Sequence, residues 1–261
     1  MTSHRGINHS QSSWYVHRRK SIMPIFETGK HLREMTKKYS SATGKYLIEI
    51  YPIVFRRGKG HAAFTFARVL GPENEVITEV FRNDEKFPFY FVENHVDGHD
   101  YILCSEDTQT HSAIRLDTGE RFDFVSEKTK RDMEFSWRKF HLSPCGTQIA
   151  IEGTCKHKHD ELSEYSEIRF YSFDDPMDLP YPEIGERYIG PYDEVLGWDG
   201  DGIRYSTHEE VRKSDEKPYY DLTRQEVKVA LEQNDLQSRR VVYNLKPEGK
   251  KTELFSEWVV K

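Results

Sequence analysis

The 261-residue chain lacks every run of about 18 consecutive apolar residues that a membrane-spanning helix needs, so no membrane partner is expected. It is poor in cysteine. Cys104, Cys145 and Cys155 cannot all pair with one another, and none stands in a Cys-x-x-Cys spacing of the kind that binds zinc. Free thiols in a reducing cytosol are the expectation, and the chain is read as cytoplasmic. The phosphate-binding pattern Gly-x-x-x-x-Gly-Lys is absent; Thr28-Gly29-Lys30 is too short to replace it. There is no Gly-x-Ser-x-Gly elbow and no His-Glu-x-x-His. Met1 to Phe26 contains no acidic residue and no apolar core of a secretory signal. This basic, Ser-containing segment reads as a flexible tail, with a transit peptide or initiation at Met23 as alternatives. A net charge of -6 argues against a broad nucleic-acid-binding surface.

What is present points to strands. Hydrophobic residues make up 36% of the chain and aromatic residues 13%, with 31% charged and a mean hydropathy of -0.79. Many Tyr and Phe over a modest aliphatic content suit short, half-wet strands better than a helical bundle. Phe135 to Ile184 shows the pattern best. A run from Phe135 to Leu142 meets the turn Ser143-Pro144-Cys145-Gly146, then Thr147 to Glu152 and Ile168 to Phe173 alternate polar with apolar. Phe87 to Asn94, Tyr101 to Glu106, Ser112 to Leu116 and Arg121 to Val125 form a second such unit. Lys45 to Asn83 forms another, with a strand interrupted at Pro52, and Asp193 to Trp258 a fourth. Gly98, Gly146 and either Gly200 or Gly202 follow the first strand of their units.

Two helices are expected. Phe26 to Tyr39 places Leu32, Met35 and Tyr39 along one side after Thr28. Asp221 to Gln233 carries a capping-box spacing, Thr223 with Glu226, inside the fourth unit. The fold class expected is all-β: a β-propeller-like array of four-stranded antiparallel meanders, four or five blades, over 45–261. Residues 1–44 are expected to form a tail.

SPCGTQIAIEG followed by SEIRFYSFDDP resembles the blades of WD-repeat-like and TolB-like β-propellers, with Cys145 where those families commonly carry Asp. DYILCSEDTQTHSAIRLDTGERFDFV is similar to an uncharacterised group of small propeller-like proteins. The resemblance spans Tyr90 to Trp198 and lacks the Gly-His and Trp-Asp signatures. It implies architecture and no particular chemistry.

Several side-chain groups are candidates for function. Glu93, Asp97, His99, Glu106 and Asp107 would supply acid–base chemistry for a hydrolase- or lyase-like enzyme at a propeller mouth. Against that stands the habit of carboxylates at strand ends to bond the turn backbone. His95-Val96-Asp97 has the spacing of a non-haem iron site, completed by His141, His157 or His159 with Arg169. That site would require a double-stranded β-helix. Cys155, His157 and His159 alternate as metal ligands would, although a solvated loop explains them equally. No cofactor is called for. The favoured function is a non-catalytic module for a protein or peptide partner. It would use the polar loop His157 to Tyr165, with His157, His159, Asp160, Tyr165 and Trp198 as binding residues, and the helical insertion.

Overall fold

The computed structural model describes residues 30–31, 36–57, 60–105, 110–125, 133–157 and 164–259. The chain divides into two compact units, Met1–Phe87 and Pro88–Lys261.

The first unit holds one antiparallel sheet. Three strands, β3 (Leu47–Arg57), β4 (Gly60–Leu70) and β5 (Val76–Arg82), follow one another. The outer edge of β3 is taken by β1 (Lys30–His31) and β2 (Lys37–Ser40) in tandem. Pro52 does not interrupt β3. It lies where pairing passes from β2, which ends opposite Ile50, to β1, which begins opposite Ile53, so its missing N–H breaks no ladder on that side. Where a helix is expected over Phe26–Tyr39, Lys30–His31 and residues 37–39 are strand instead, and 26–29 and 32–35 lie outside the described residues. Residues 1–29 of the expected tail lie outside the described residues.

The second unit is three meanders in sequence order. β6 (Phe89–Val92), β7 (Tyr101–Ser105), β8 (Thr110–Arg115) and β9 (Arg121–Val125) form one. β10 (Met133–Leu142), β11 (Gln148–His157), β12 (Glu164–Ser172) and β13 (Tyr188–Ile189) form the next. β14 (Glu194–Asp199), β15 (Gly202–Arg212), β16 (Leu236–Leu245) and β17 (Lys251–Trp258) form the last. Each pairs consecutive strands antiparallel, the order of a propeller blade. The fold is therefore all-β and propeller-like. It is built from one five-stranded antiparallel sheet, three four-stranded meanders and one inserted helix, α1 (Arg224–Glu232), among the described residues.

Alternation decides how these sheets stack. On β11, Ile149 and Ile151 join Val92, Tyr101, Leu103 and Ala113 of the preceding meander in one core with Trp137, Phe140 and Phe173. Ala150, between them, faces the other way and packs with Ile168, Phe170, Val195, Ile203, Tyr205 and Val241. The middle sheet is thus covered on both faces, as its period-two burial requires. Gly98, Gly146 and Gly200 all have positive φ (86°, 76° and 63°), so the loose repeat read from the sequence marks equivalent turns.

Candidate functional site

The turn between β6 and β7 gathers most of the described acid–base candidates. His95 is buried; its Nε2–H donates to the Phe173 carbonyl at 2.9 Å, and its Nδ1 lies 3.1 Å from Asp97 Oδ1. Tyr101 donates its hydroxyl to Asp97 Oδ2 at 2.5 Å, and the His99 backbone N–H donates to Asp97 Oδ1 at 3.0 Å. Burial pushes the Asp97 carboxyl up, but the bonds from Tyr101, His99 and His95 outweigh it and hold it below its ordinary range. Burial and then the Asp97 bond push the Tyr101 phenol up to about 12. The His99 imidazole pairs with Asp117 at 2.6 Å. Asp97 is thereby committed as an acceptor inside its own turn, and His95 ties this turn to the next meander.

A second tie joins the middle and last meanders. Glu152 on β11 is buried and accepts from His141 Nε2 at 2.7 Å. Tyr192, on the lead into β14, hydrogen-bonds the same carboxylate. Trp198 donates its indole N–H to the His141 carbonyl at 2.7 Å and meets the Phe170 ring edge-on. Trp198 is therefore largely consumed in packing between sheets. On the opposite face of the middle sheet, Arg169 bonds Glu167 at 2.5 Å and Cys155 Sγ at 3.1 Å, and stacks on Phe135. Burial pushes the Cys155 thiol up to about 11, the reverse of what a metal ligand needs. Tyr165 stands opposite Cys155 in register.

The remaining candidates are placed as follows. Glu93 is half-buried just past β6. Glu106, Asp107, His159 and Asp160 lie outside the described residues, and for His157 only its place at the end of β11 is described. The contact loop begins later than expected. β11 runs to His157 and β12 starts at Glu164, so Tyr165 belongs to a strand. His95 and Asp97 converge, while His141 faces Glu152 and Arg169 faces Glu167, so these described members of the iron set do not gather; the alternatives His157 and His159 are not described at their side chains. The described sheets are meanders rather than a double-stranded β-helix. Among the described residues, no three His, Cys, Asp or Glu gather as a metal site.

Cys145 is exposed in the Ser-Pro-Cys-Gly turn. The hydroxyls of Ser143 and Thr147, each 3.2 Å from Sγ, hold its thiol down at about 7 by stabilising the thiolate. Alkylation of the native protein with iodoacetamide should therefore occur first at Cys145 and rise through about pH 7, as the thiolate fraction does. Cys104 and Cys155, both buried, should react only after unfolding. Equal rates by peptide mass spectrometry would contradict this.

The inserted helix forms as its sequence dictates. Thr223 caps it and accepts from the Glu226 N–H at 3.3 Å, while Glu226 accepts from the Thr223 N–H at 2.8 Å. Arg212 and Lys217 approach Glu226 at 3.3 and 3.2 Å and fix this end to β15. The capping bonds come first in holding the Glu226 carboxyl at about 2. Ala230 is the buried residue of α1. Val229, Leu231 and, from the 3-10 turn Tyr219–Asp221 before it, Tyr219 and Tyr220 are exposed; Tyr220 reaches 69% and Leu231 62%.

Fold and sites together define an all-β protein of antiparallel meanders, with His95, Asp97, His141 and Glu152 engaged in hydrogen bonds. No family model matches the chain, and no curated protein is similar to it in sequence. Among solved structures, the alpha-L-arabinanase of Cellvibrio cellulosa is similar at 10% identity, over 84% of this chain and 76% of that one, with a TM-score of 0.35. A likeness at that level carries no argument about activity. Among the described residues no helix is long and apolar enough to cross a membrane.

Proposed function

We propose that the chain is a non-catalytic interaction module that holds a protein or peptide partner on its helical insertion. The carrying observation is α1 itself. Its first turn is locked to the sheet by the capping box and by Arg212 and Lys217, yet Val229, Leu231, Tyr219 and Tyr220 remain outside the core. Exposed apolar and aromatic side chains on a fixed support have the composition of an interface. The Ser-Pro-Cys-Gly turn supports placing the blades with the WD-repeat-like and TolB-like propellers, and three free cysteines suit a reducing cytoplasm. The rival reading, a hydrolase or lyase using Glu93, Asp97, His99, Glu106 and Asp107, is disfavoured by the bonds that engage Asp97 within its turn and the His99 imidazole with Asp117 of the β8–β9 turn.

The test is quantitative co-purification from source cells after cross-linking, with wild type compared with a Val229→Ser, Leu231→Ser double variant. Loss of an interface contact of about 1–2 kcal/mol at either position should reduce recovery of a fixed-ratio partner by about tenfold. The melting temperature should hold, because both side chains are exposed. Undiminished recovery would remove the helix from the interface.

A further inference from the structure

The insertion between β15 and β16 is fastened more lightly than the sheet it leaves. Within residues 217–233 the one buried residue is Ala230, so little apolar area holds the segment down. Its root is firm. Lys213 donates its N–H to the Asp235 carbonyl at 2.8 Å, and Ser214 donates its hydroxyl to the Asp235 carboxylate at 2.7 Å, beside the ladder pair of Arg212 with Leu236. Immediately inside this root stand two left-handed residues that are not glycine, Glu216 (φ 56°) and Asn234 (φ 52°). Asparagine tolerates that backbone, whereas glutamate adopts it at a cost set by its Cβ. Strained backbone of this kind gathers at switch regions. Between the two, Glu226 reaches back to the sheet. Its Oε1 accepts from Arg212 of β15 at 3.3 Å and from Lys217 at 3.2 Å, and its Oε2 accepts from the Thr223 N–H at 2.8 Å. Asp215 holds the same guanidinium at 2.8 Å, and the Arg212 N–H donates to the Lys217 carbonyl at 2.9 Å.

We propose that residues 217–233 form a lid, hinged at Glu216 and Asn234 and latched by Arg212 on Glu226, that opens from the sheet as one unit while its root stays paired. Opening breaks the Arg212–Glu226 pair and the Arg212 N–H bond to Lys217, withdraws Ala230 from its packing, and frees Glu216 from its left-handed backbone. Lys217 and Thr223 travel with Glu226, so the carboxylate keeps its cap and one counter-charge in both states. Asp215 stays with Arg212 in the same way, and neither charge is stranded when the latch parts. The latch side chains are 19% and 30% exposed, so salt screens and weakens it. The lid stands whatever α1 holds. A partner gripping the latched form would draw the equilibrium shut.

The test is hydrogen–deuterium exchange on the full chain, read by peptide mass spectrometry and corrected for intrinsic rates, with α1 compared with β11. Wild-type α1 is expected to exchange about tenfold or more faster than β11, and faster again when sodium chloride is raised from about 50 mM to about 1 M. Glu226→Gln keeps an acceptor for the helix cap and removes the charge that Arg212 holds. It should speed α1 about threefold to tenfold, leave β11 unchanged and blunt the response to salt. Glu216→Gly, which takes a positive φ without a Cβ, should act the other way and slow α1 about twofold to fivefold. Simple loosening of the surface would speed α1 in both variants. Exchange of wild-type α1 at the rate of β11, no acceleration in Glu226→Gln, or acceleration in Glu216→Gly would each overturn the proposal.

Discussion

Trp137→Ala is expected to cost about 3–5 kcal/mol of unfolding free energy, the range for deleting a large buried aromatic. Trp137 belongs to β10 and is 5% exposed. It lies flat on His111 of β8 with ring centres 3.8 Å apart and an interplanar angle of 10°, parallel to Tyr181, and edge-on to Phe140. Few of these neighbours can close the gap, because Phe140, Tyr181 and Phe173 are fixed in the same core by one another. A domain stable by about 5–15 kcal/mol would lose a large fraction of its margin. Urea unfolding followed by circular dichroism should show the midpoint falling with the slope preserved. A loss below about 1 kcal/mol would mean that Trp137 is not buried between two sheets.

The second large effect lies in the connection from the middle meander to the last. Gly185 has φ of 71°, and a Cβ added there would collide with the Pro247 carbonyl in the turn between β16 and β17. The next residue, Glu186, donates its N–H to that same carbonyl at 2.6 Å. The clash therefore falls on backbone and cannot be relieved by a rotamer change. Gly185→Ala should cost about 1–2 kcal/mol for the left-handed backbone and about 1–3 kcal/mol for the displaced turn. The check is the same unfolding curve, with Gly44→Ala as comparison. Gly44 shares the sign of φ (77°), but its added Cβ meets nothing within 4 Å. Gly185→Ala should be clearly the worse of the two; equal costs would show that the close approach is absent.

Much of the architecture was legible because it is local. The Pro-Gly turn at 143–146, the Asp-Gly turns and the Thr223–Glu226 box are short-range devices. The structure builds each of them with the bonds their residue types imply, as with Gly146 N–H to the Ser143 carbonyl at 2.9 Å. β2 was not legible. Lys37–Ser40 is exposed at all four positions, so it lacks the alternation that marks a strand. Strand ends in the middle meander were misplaced for a related reason. β11 continues to His157 through residues whose polar character reads as loop.

The side-chain groups were harder. His141 and Glu152 sit eleven positions apart and meet through the register of β10 on β11, which shifts between Trp137 and Lys139. Glu209, Arg239 and Lys251 come from three strands of one sheet, and no spacing in the sequence announces them. His95-Val96-Asp97 had the opposite fault, a suggestive spacing with a structural use. Its imidazole bonds a carbonyl 78 residues away, and the turn closes through Gly98. Alternation tells which face a residue occupies; it does not tell what that face meets.

Everything proposed for the surface of this protein depends on successive meanders lying face to face, and the His111–Trp137 stack spans one such junction. The direct measurement is a double-mutant cycle in urea unfolding with His111→Ala, Trp137→Ala and the double variant. The stacked arrangement predicts a coupling of about 0.5–1.5 kcal/mol between the two positions. Strictly additive losses would contradict it.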